Sequence, residues 1–153
     1  MDGMFRGHFE HTVDDKGRVA IPARFREALS GLQEERLVVT KYAIRGVRCL
    51  DVYPLAAWRQ LEVRLQSQKR FDPRLVSFRN YYVSGAHEYQ LDGQGRILIP
   101  QHLREYAGLK RDVVFTGDIE KFRIWEKDAW QQVFATDERA FLEYPERWGD
   151  LDL

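Results

Sequence analysis

Asp14 and Arg18 stand four residues apart, and the same pair recurs as Asp92 and Arg96. Each lies in the pattern Asp-x-x-Gly-Arg-apolar-x-Ile-Pro, with Gly17 and Gly95 just before the arginine. An aspartate bonds readily to the backbone that follows it, and glycine accepts positive φ, so each pattern reads as a tight turn between two strands. Two chemistries fit such a turn. The carboxylate and guanidinium can form a salt bridge that stiffens it. Alternatively, Lys16 and Arg18 project towards an anionic surface while the carboxylate holds the guanidinium in a fixed fork. Arginine suits bidentate contact with phosphate or a guanine edge, and a two-stranded ribbon fits the major groove of a duplex. The two readings are compatible, the acid orienting the base.

These turns sit in an internal duplication. The segment Glu10–Pro22 aligns with Glu88–Pro100 at an offset of 78, with identities at Glu10/Glu88, Asp14/Asp92, Gly17/Gly95, Arg18/Arg96, Ile21/Ile99 and Pro22/Pro100. The match continues through Arg26/Arg104 and Glu27/Glu105. Further along the offset shrinks, to 75 at Val38-Val39/Val113-Val114 and to 72 at Trp58/Trp130, as short deletions in loops would produce. Two copies are too few for a solenoid, so the halves are expected to pack face to face as a pseudo-dimer.

The elements that must position the turns recur in each half. Strands are predicted at 9–13 and 18–21, with Pro22 and Pro100 at the first position of a short helix, where a missing N–H costs nothing. The first helix spans about 23–29 and stops at Gly31; the second spans 101–106, with Gly108 just beyond. Two more strands follow in each half, at 37–41 and 50–53, then at 113–116 and 122–125. Helices are predicted at 54–68, where Leu55, Trp58, Leu61 and Leu65 form one apolar stripe, at 73–82 and at 127–134. The boundaries are 4–78 for the first repeat with its helices, 79–148 for the second and 149–153 for an acidic tail, all within one cooperative unit.

On these residues the chain resembles the MraZ family. The segments Met4-Phe5-Arg6-Gly7, Val13 to Arg26 and Leu91 to Arg96 carry the likeness, which runs from Met4 to about Trp148. The resemblance implies an α+β fold, a duplicated swapped-hairpin AbrB-like (SpoVT-AbrB) β-barrel with flanking short helices and a pseudo-twofold within one chain. It further implies a ring-shaped homo-oligomer that binds direct repeats of double-stranded DNA in the promoter of its own operon. Members of the family regulate transcription of the division and cell-wall gene cluster, commonly as repressors, and can associate with the nucleoid. Residue by residue, Arg18 and Arg96 become the motif arginines, Asp14 and Asp92 the acids that orient them, and Lys16 the turn lysine. Arg24 and Arg6 are further candidates for DNA contact. The copies differ where Lys16 faces Gln94, Asp15 faces Gly93 and Arg24 faces His102, so the first turn should bind phosphate more strongly. Family members read from Met-Phe-Arg-Gly, which makes Met1-Asp2-Gly3 an upstream start or a short extension.

Composition bounds the alternatives. The 153 residues are 44% hydrophobic and 31% charged, too apolar for a disordered chain. Basic and acidic residues balance at 24 each, yet residues 16–48 carry a net of +5 and residues 137–153 a net of −4. No apolar run is long enough to span a bilayer, and the start has no apolar stretch like a signal peptide's; a cytoplasmic protein without membrane partner is expected. A single cysteine, Cys49, excludes an internal disulfide. His8 and His11, three apart on a strand, face opposite sides, so neither a metal nor another cofactor is expected. No phosphate-binding loop or nucleophile elbow appears, and an arginine beside each aspartate favours the charged carboxylate, so neither an enzyme nor a small-molecule substrate is expected. Most aromatics (Trp58, Phe78, Phe115, Trp125, Trp130) fall at core spacing. Tyr81-Tyr82 beside Arg79 remains open as a stacking platform or subunit interface. An oligomeric protein-binding scaffold is the non-enzymatic alternative. An antitoxin is disfavoured by the two motifs and the short tail.

Overall fold

The computed structural model describes residues 4–68 and 71–153; Met1–Gly3 lies outside them. In chain order the elements are β1 (His8–Thr12), β2 (Arg18–Ala20), α1 (Ala23–Gly31), β3 (Arg36–Ile44), β4 (Val47–Pro54), α2 (Leu55–Gln66) and α3 (Pro73–Phe78). A π-helical turn at Arg79–Val83 leads into β5 (His87–Gln90), β6 (Arg96–Leu98), α4 (Gln101–Ala107), β7 (Asp112–Asp118), β8 (Lys121–Glu126) and α5 (Lys127–Glu143). Pro145–Trp148 forms a final 3₁₀ turn. The second half thus repeats the β-β-α-β-β-α order of the first.

The strands make a mixed α/β protein with two antiparallel sheets. Six strands pair in the order β1-β7-β8-β4-β3-β5, and β2 pairs with β6 as a separate ribbon. Every connection between repeats is reciprocal. β1 of the first half pairs with β7 of the second, Phe9 opposite Phe115. β5 of the second half pairs with β3 of the first, Leu37 opposite Tyr89. At the centre β4 meets β8, with Leu50 opposite Ile124 and Val52 opposite Phe122. Among the described residues the ladders form one open series from β1 to β5, with the ribbon apart from it.

Alternation along the central strands divides the core. Leu37, Val39, Leu50, Val52, Phe115, Phe122 and Ile124 face one side, where they pack with Val19, Ile21, Ile97 and Ile99 of the ribbon region and with Phe25, Leu29 and Leu103 of α1 and α4. Phe25 lies at its aromatic centre, with ring centroids 5.4 Å from Phe5, 5.3 Å from Phe9 and 4.8 Å from Phe122. The opposite face of the sheet packs Val38 and Tyr53 against Trp58 of α2 and Tyr82, and Cys49 and Trp125 against Val133 of α5. Two side chains from each turn of ribbon therefore anchor it in the core, while the sheet itself is covered on both faces.

Several elements depart from the sequence expectation in informative ways. Pro22 and Pro100 are the capping residues before α1 and α4, with ψ of 141° and 155°, so the prolines stop the strands and the helices start one residue later. Gly31 is the last residue of α1; the left-handed conformation falls on Gln33, φ 54°, while the expected stop at Gly108 does adopt φ 65°. The predicted 73–82 helix divides into α3, capped by the Asp72 carboxylate on the Arg74 N–H at 2.9 Å, and the π turn. α5 continues nine residues past the expected Phe134, and over that stretch every side chain but the half-buried Ala140 is exposed. A solvated face carries no apolar periodicity by which to read its end.

Candidate nucleic-acid interface

Both turns are built alike. Asp14 Oδ1 accepts hydrogen bonds from the Lys16 and Arg18 backbone N–H groups, each at 2.9 Å, and Oδ2 accepts one from Arg18 Nε at 2.8 Å. Asp92 does the same with Gln94 N at 2.8 Å, Arg96 N at 2.9 Å and Arg96 Nε at 2.8 Å. Two backbone bonds close each turn: Arg18 O accepts from Asp14 N and Asp14 O from Gly17 N, mirrored at Asp92, Gly95 and Arg96. The carboxylates thus serve backbone and side chain at once. The backbone N–H of Arg18 and that of Arg96 are the main causes holding the Asp14 and Asp92 carboxyls below the usual aspartate range. These acids are ionised hydrogen-bond acceptors, which argues against a role as proton donors.

The turns share a platform across the repeat. In the ribbon Arg18 lies opposite Leu98, Val19 opposite Ile97 and Ala20 opposite Arg96. Ile21 N donates to Gly95 O at 3.0 Å and Ile99 N to Gly17 O at 2.8 Å, so each turn is stitched to the other repeat's strand. Val19 and Ile97 are each 1% exposed and point into the core. Strand alternation then turns Arg18, Ala20, Arg96 and Leu98 to the outer face. Arg18 and Arg96 stand diagonally across that face, at a spacing of about 7–8 Å for such a pair. Their Nε atoms are engaged by Asp14 and Asp92; among the described residues their terminal nitrogens make no hydrogen bond, and no other acid pairs with either guanidinium.

The helices that follow lock the turns from the opposite repeat. Arg104 Nε donates to Ile99 O at 2.9 Å and lies over Gly17; Arg26 Nε donates to Ile21 O at 3.0 Å and lies over Gly95. Gly17 and Gly95 adopt φ of 89° and 72°. A Cβ on Gly17 would sit 2.7 Å from Ile99 O and 2.8 Å from Arg104 Nε, and one on Gly95 would sit 2.6 Å from Arg26 Cδ. Both glycines are required by conformation and by space. Arg26 and Arg104 appear in the sequence as repeat identities, and that identity was the available signal for their positioning role.

Lys16 is exposed at the first turn, with Gln94 in its place at the second. Arg24 is exposed on the first turn of α1, close in sequence to the ribbon. Arg6 is exposed at the far end of β1 from Asp14, beside the Phe5–Ile119 bridge, so it is not part of the same face as Arg18.

The aromatic platform considered from sequence is not formed by Tyr82. That side chain is 3% exposed, and its hydroxyl donates to Asp51 Oδ2 and is 2.6 Å from the Tyr53 hydroxyl. Arg79 Nη2 donates to Leu65 O at 2.6 Å, and the half-exposed Tyr81 hydroxyl bonds Tyr106. Burial pushes the Cys49 thiol well above its ordinary range, which makes it an unreactive core residue. Among the described residues there is no cluster of three or more His, Cys, Asp or Glu side chains able to hold a metal ion, and no helix is long and apolar enough to cross a membrane.

Residues 4–77 and 82–150 match the family described as "MraZ protein, putative antitoxin-like". The chain belongs to the MraZ family. It is similar to the transcriptional regulator MraZ of Thermoanaerobacter sp. (strain X514), at 39% identity over 151 residues, covering 98% of this chain and 100% of the relative. It is similar to that of Desulfitobacterium hafniense (strain DSM 10664 / DCB-2), at 42% over 151 residues with the same coverage. That of Acetivibrio thermocellus is 42% identical over 141 residues, 92% of either chain. The two matched MraZ segments carry one Asp-x-x-x-Arg turn each.

Proposed function

We propose that this MraZ-family chain is a non-enzymatic, sequence-specific regulator of transcription that binds double-stranded DNA through the β2–β6 ribbon. One observation carries the reading: two arginines share the ribbon's outer face, each with Nε held by its own aspartate and with no hydrogen bond made by its terminal nitrogens among the described residues. A guanidinium fixed in this way loses little further freedom on meeting a guanine edge or phosphate pair. Lys16 adds a phosphate contact at one end, Arg24 a second, and Arg6 a separate one from the far end of β1.

In this reading the open sheet and the ribbon wrap one core as a swapped-hairpin AbrB-like barrel, and copies of the chain assemble into a ring. Repetition of the ribbon around the ring matches direct-repeat boxes in the promoter of the protein's own operon, at the head of the division and cell-wall genes, where binding represses. Several modest contacts then reinforce one another by effective concentration, which is how a chain of zero net charge holds DNA. The protein works in the cytoplasm, associated with the nucleoid.

The test is fluorescence anisotropy at one fixed salt concentration, with the duplex upstream of the protein's own gene, a shuffled duplex and the Arg18→Ala protein. Preference for the native duplex that disappears in an assembled Arg18→Ala protein is the expected result. Equal, weak binding of both duplexes, unchanged by the substitution, would make the turns structural salt bridges and favour a protein-binding scaffold.

A further inference from the structure

The ribbon is nearly two-fold symmetric, and its largest departures from symmetry lie on its outer face. Arg18 and Arg96 are repeat equivalents, as are Asp14 and Asp92, Gly17 and Gly95, and the inward pair Val19 and Ile97 is apolar in both copies. Ala20 and Leu98 are equivalents too, yet they differ by three carbons. Leu98 lies directly opposite Arg18, and its side chain is 53% exposed on a strand whose neighbours Ile97 and Ile99 are each 1% exposed. The turn beside Arg18 is also the one with Lys16, where its equivalent has Gln94. One end of the ribbon therefore presents Lys16, Arg18 and Leu98, and the other Gln94, Arg96 and Ala20.

A large apolar side chain held beside a base-reading arginine has a specific complement in the major groove. The only apolar group that base edges present there is the 5-methyl of thymine. Burying it against leucine removes both from water, whereas the alanine end offers one carbon for the same purpose. A face with different side chains at its two ends also distinguishes the two directions of a duplex, which a symmetric ribbon does not.

We propose that Leu98 is a specificity-determining residue that receives a thymine methyl group, and that it gives the ribbon a direction on the DNA. The proposal rests on the DNA-binding reading of the same ribbon. It commits the exposed leucine to DNA, and a second copy of the chain is the competing occupant.

The experiment replaces each thymine of the native duplex, one at a time, by deoxyuridine, which removes only the 5-methyl group. Binding is followed by anisotropy at fixed salt for the full-length protein, for Leu98→Ala and for Ala20→Leu/Leu98→Ala, with particle mass from light scattering. Leu98 is half exposed, so its truncation leaves the core intact. At one thymine of the box the wild-type protein should lose roughly fourfold in affinity, the value expected for one buried methyl. Leu98→Ala should bind the thymine and deoxyuridine duplexes equally at that position. The transposed double variant should move the sensitivity to the other end of the box. If the native duplex is preferred over the shuffled one but no thymine is sensitive, or the sensitivity persists in Leu98→Ala, the proposal is overturned and the ribbon reading stands. A change of particle mass in Leu98→Ala with unaltered thymine sensitivity also overturns it, assigning the leucine to contact between copies. If native and shuffled duplexes bind alike, the ribbon reading itself fails.

Discussion

Asp51 and Arg123 occupy equivalent positions of the two repeats, at the offset of 72 that also relates Trp58 to Trp130, and they lie directly opposite each other on β4 and β8. Their Oδ1–Nε distance is 2.8 Å, with the Asp51 side chain 1% exposed and that of Arg123 15% exposed. The pseudo-twofold axis runs through this pair. In a symmetric pair of identical repeats, a residue there would face its own copy; in this chain an acid faces a base. Arg123 Nη1 also reaches Asp118 Oδ2 at 3.0 Å, and the Asp51 carboxylate takes the Tyr82 hydroxyl, tying the π turn to the sheet.

Removing one partner of this pair should be costly. Asp51→Ala leaves the buried Arg123 guanidinium with only the half-exposed Asp118 as charge partner and takes the carboxylate from the Tyr82 hydroxyl. It should destabilise by about 3 kcal/mol, the lower end for a broken buried pair. Burial pushes the Asp51 carboxyl above its ordinary range, with Arg123 pulling it back, so the pair's net contribution is smaller than the loss from breaking it. The double variant Asp51→Leu/Arg123→Met should therefore recover much of the loss. Urea unfolding of Asp51→Leu, Arg123→Met and their double closes the cycle; strictly additive losses would show the two residues to be independent.

Gly17 and Gly95 should respond unequally to alanine. At Gly17 the added Cβ meets the rigid Ile99 carbonyl, whereas at Gly95 it meets the movable Arg26 side chain. With φ positive at both, Gly17→Ala should cost about 1–3 kcal/mol and Gly95→Ala the lower part of that range. Gly93→Ala, with nothing within 4 Å of a Cβ, is the control and should lie within about 0.5 kcal/mol of wild type. Thermal denaturation of the three proteins checks the order.

Acid should release the turns. The Asp14 and Asp92 carboxyls titrate lower in the folded chain than the ordinary aspartate value of about 3.9, so between the two values the unfolded state binds more protons. Their stabilising contribution is present above about pH 4 and is lost as the pH falls through the lowered folded values. Carboxyl carbon chemical shifts should show both midpoints below 3.9; a midpoint at or above it for either residue contradicts the hydrogen-bonded geometry.

Restoring charge symmetry should strengthen DNA binding. Gln94→Lys places a cation where the first turn has Lys16. The plot of log affinity against log salt should steepen by at most about 0.9 for each ribbon engaged, one phosphate contact apiece, and Lys16→Ala should flatten it by a similar amount. Titrations from low to moderate salt measure both, and a slope unchanged in either variant removes that turn from the phosphate contacts.

The exchange of β1 and β5 should make folding all-or-none. β1 has its ladder in the second repeat and β5 has its own in the first. Tryptophan fluorescence and far-UV circular dichroism should give coincident urea transitions, and separate midpoints would mean that the halves unfold independently.

Residues 14–18 and 92–96 were legible from the sequence because their chemistry is local. An aspartate bonding two and four residues ahead, a glycine with positive φ and an arginine beside the acid need no partner from elsewhere, so type and spacing alone determined both turns. The duplication was equally legible, since it is a property of the string, and with it the repeated order of strands and helices. Tertiary structure decided which strand pairs with which, and everything that follows from that choice. No local signal says that β1 leaves its own repeat for β7, that Arg104 reaches across to Gly17, or that Asp51 and Arg123 converge on one axis. Such contacts depend on which apolar faces pack together, and short alternating strands are compatible with several partners until one shared core buries them. The same packing turned Val19 and Ile97 inward and so left Arg18, Arg96 and Leu98 facing out.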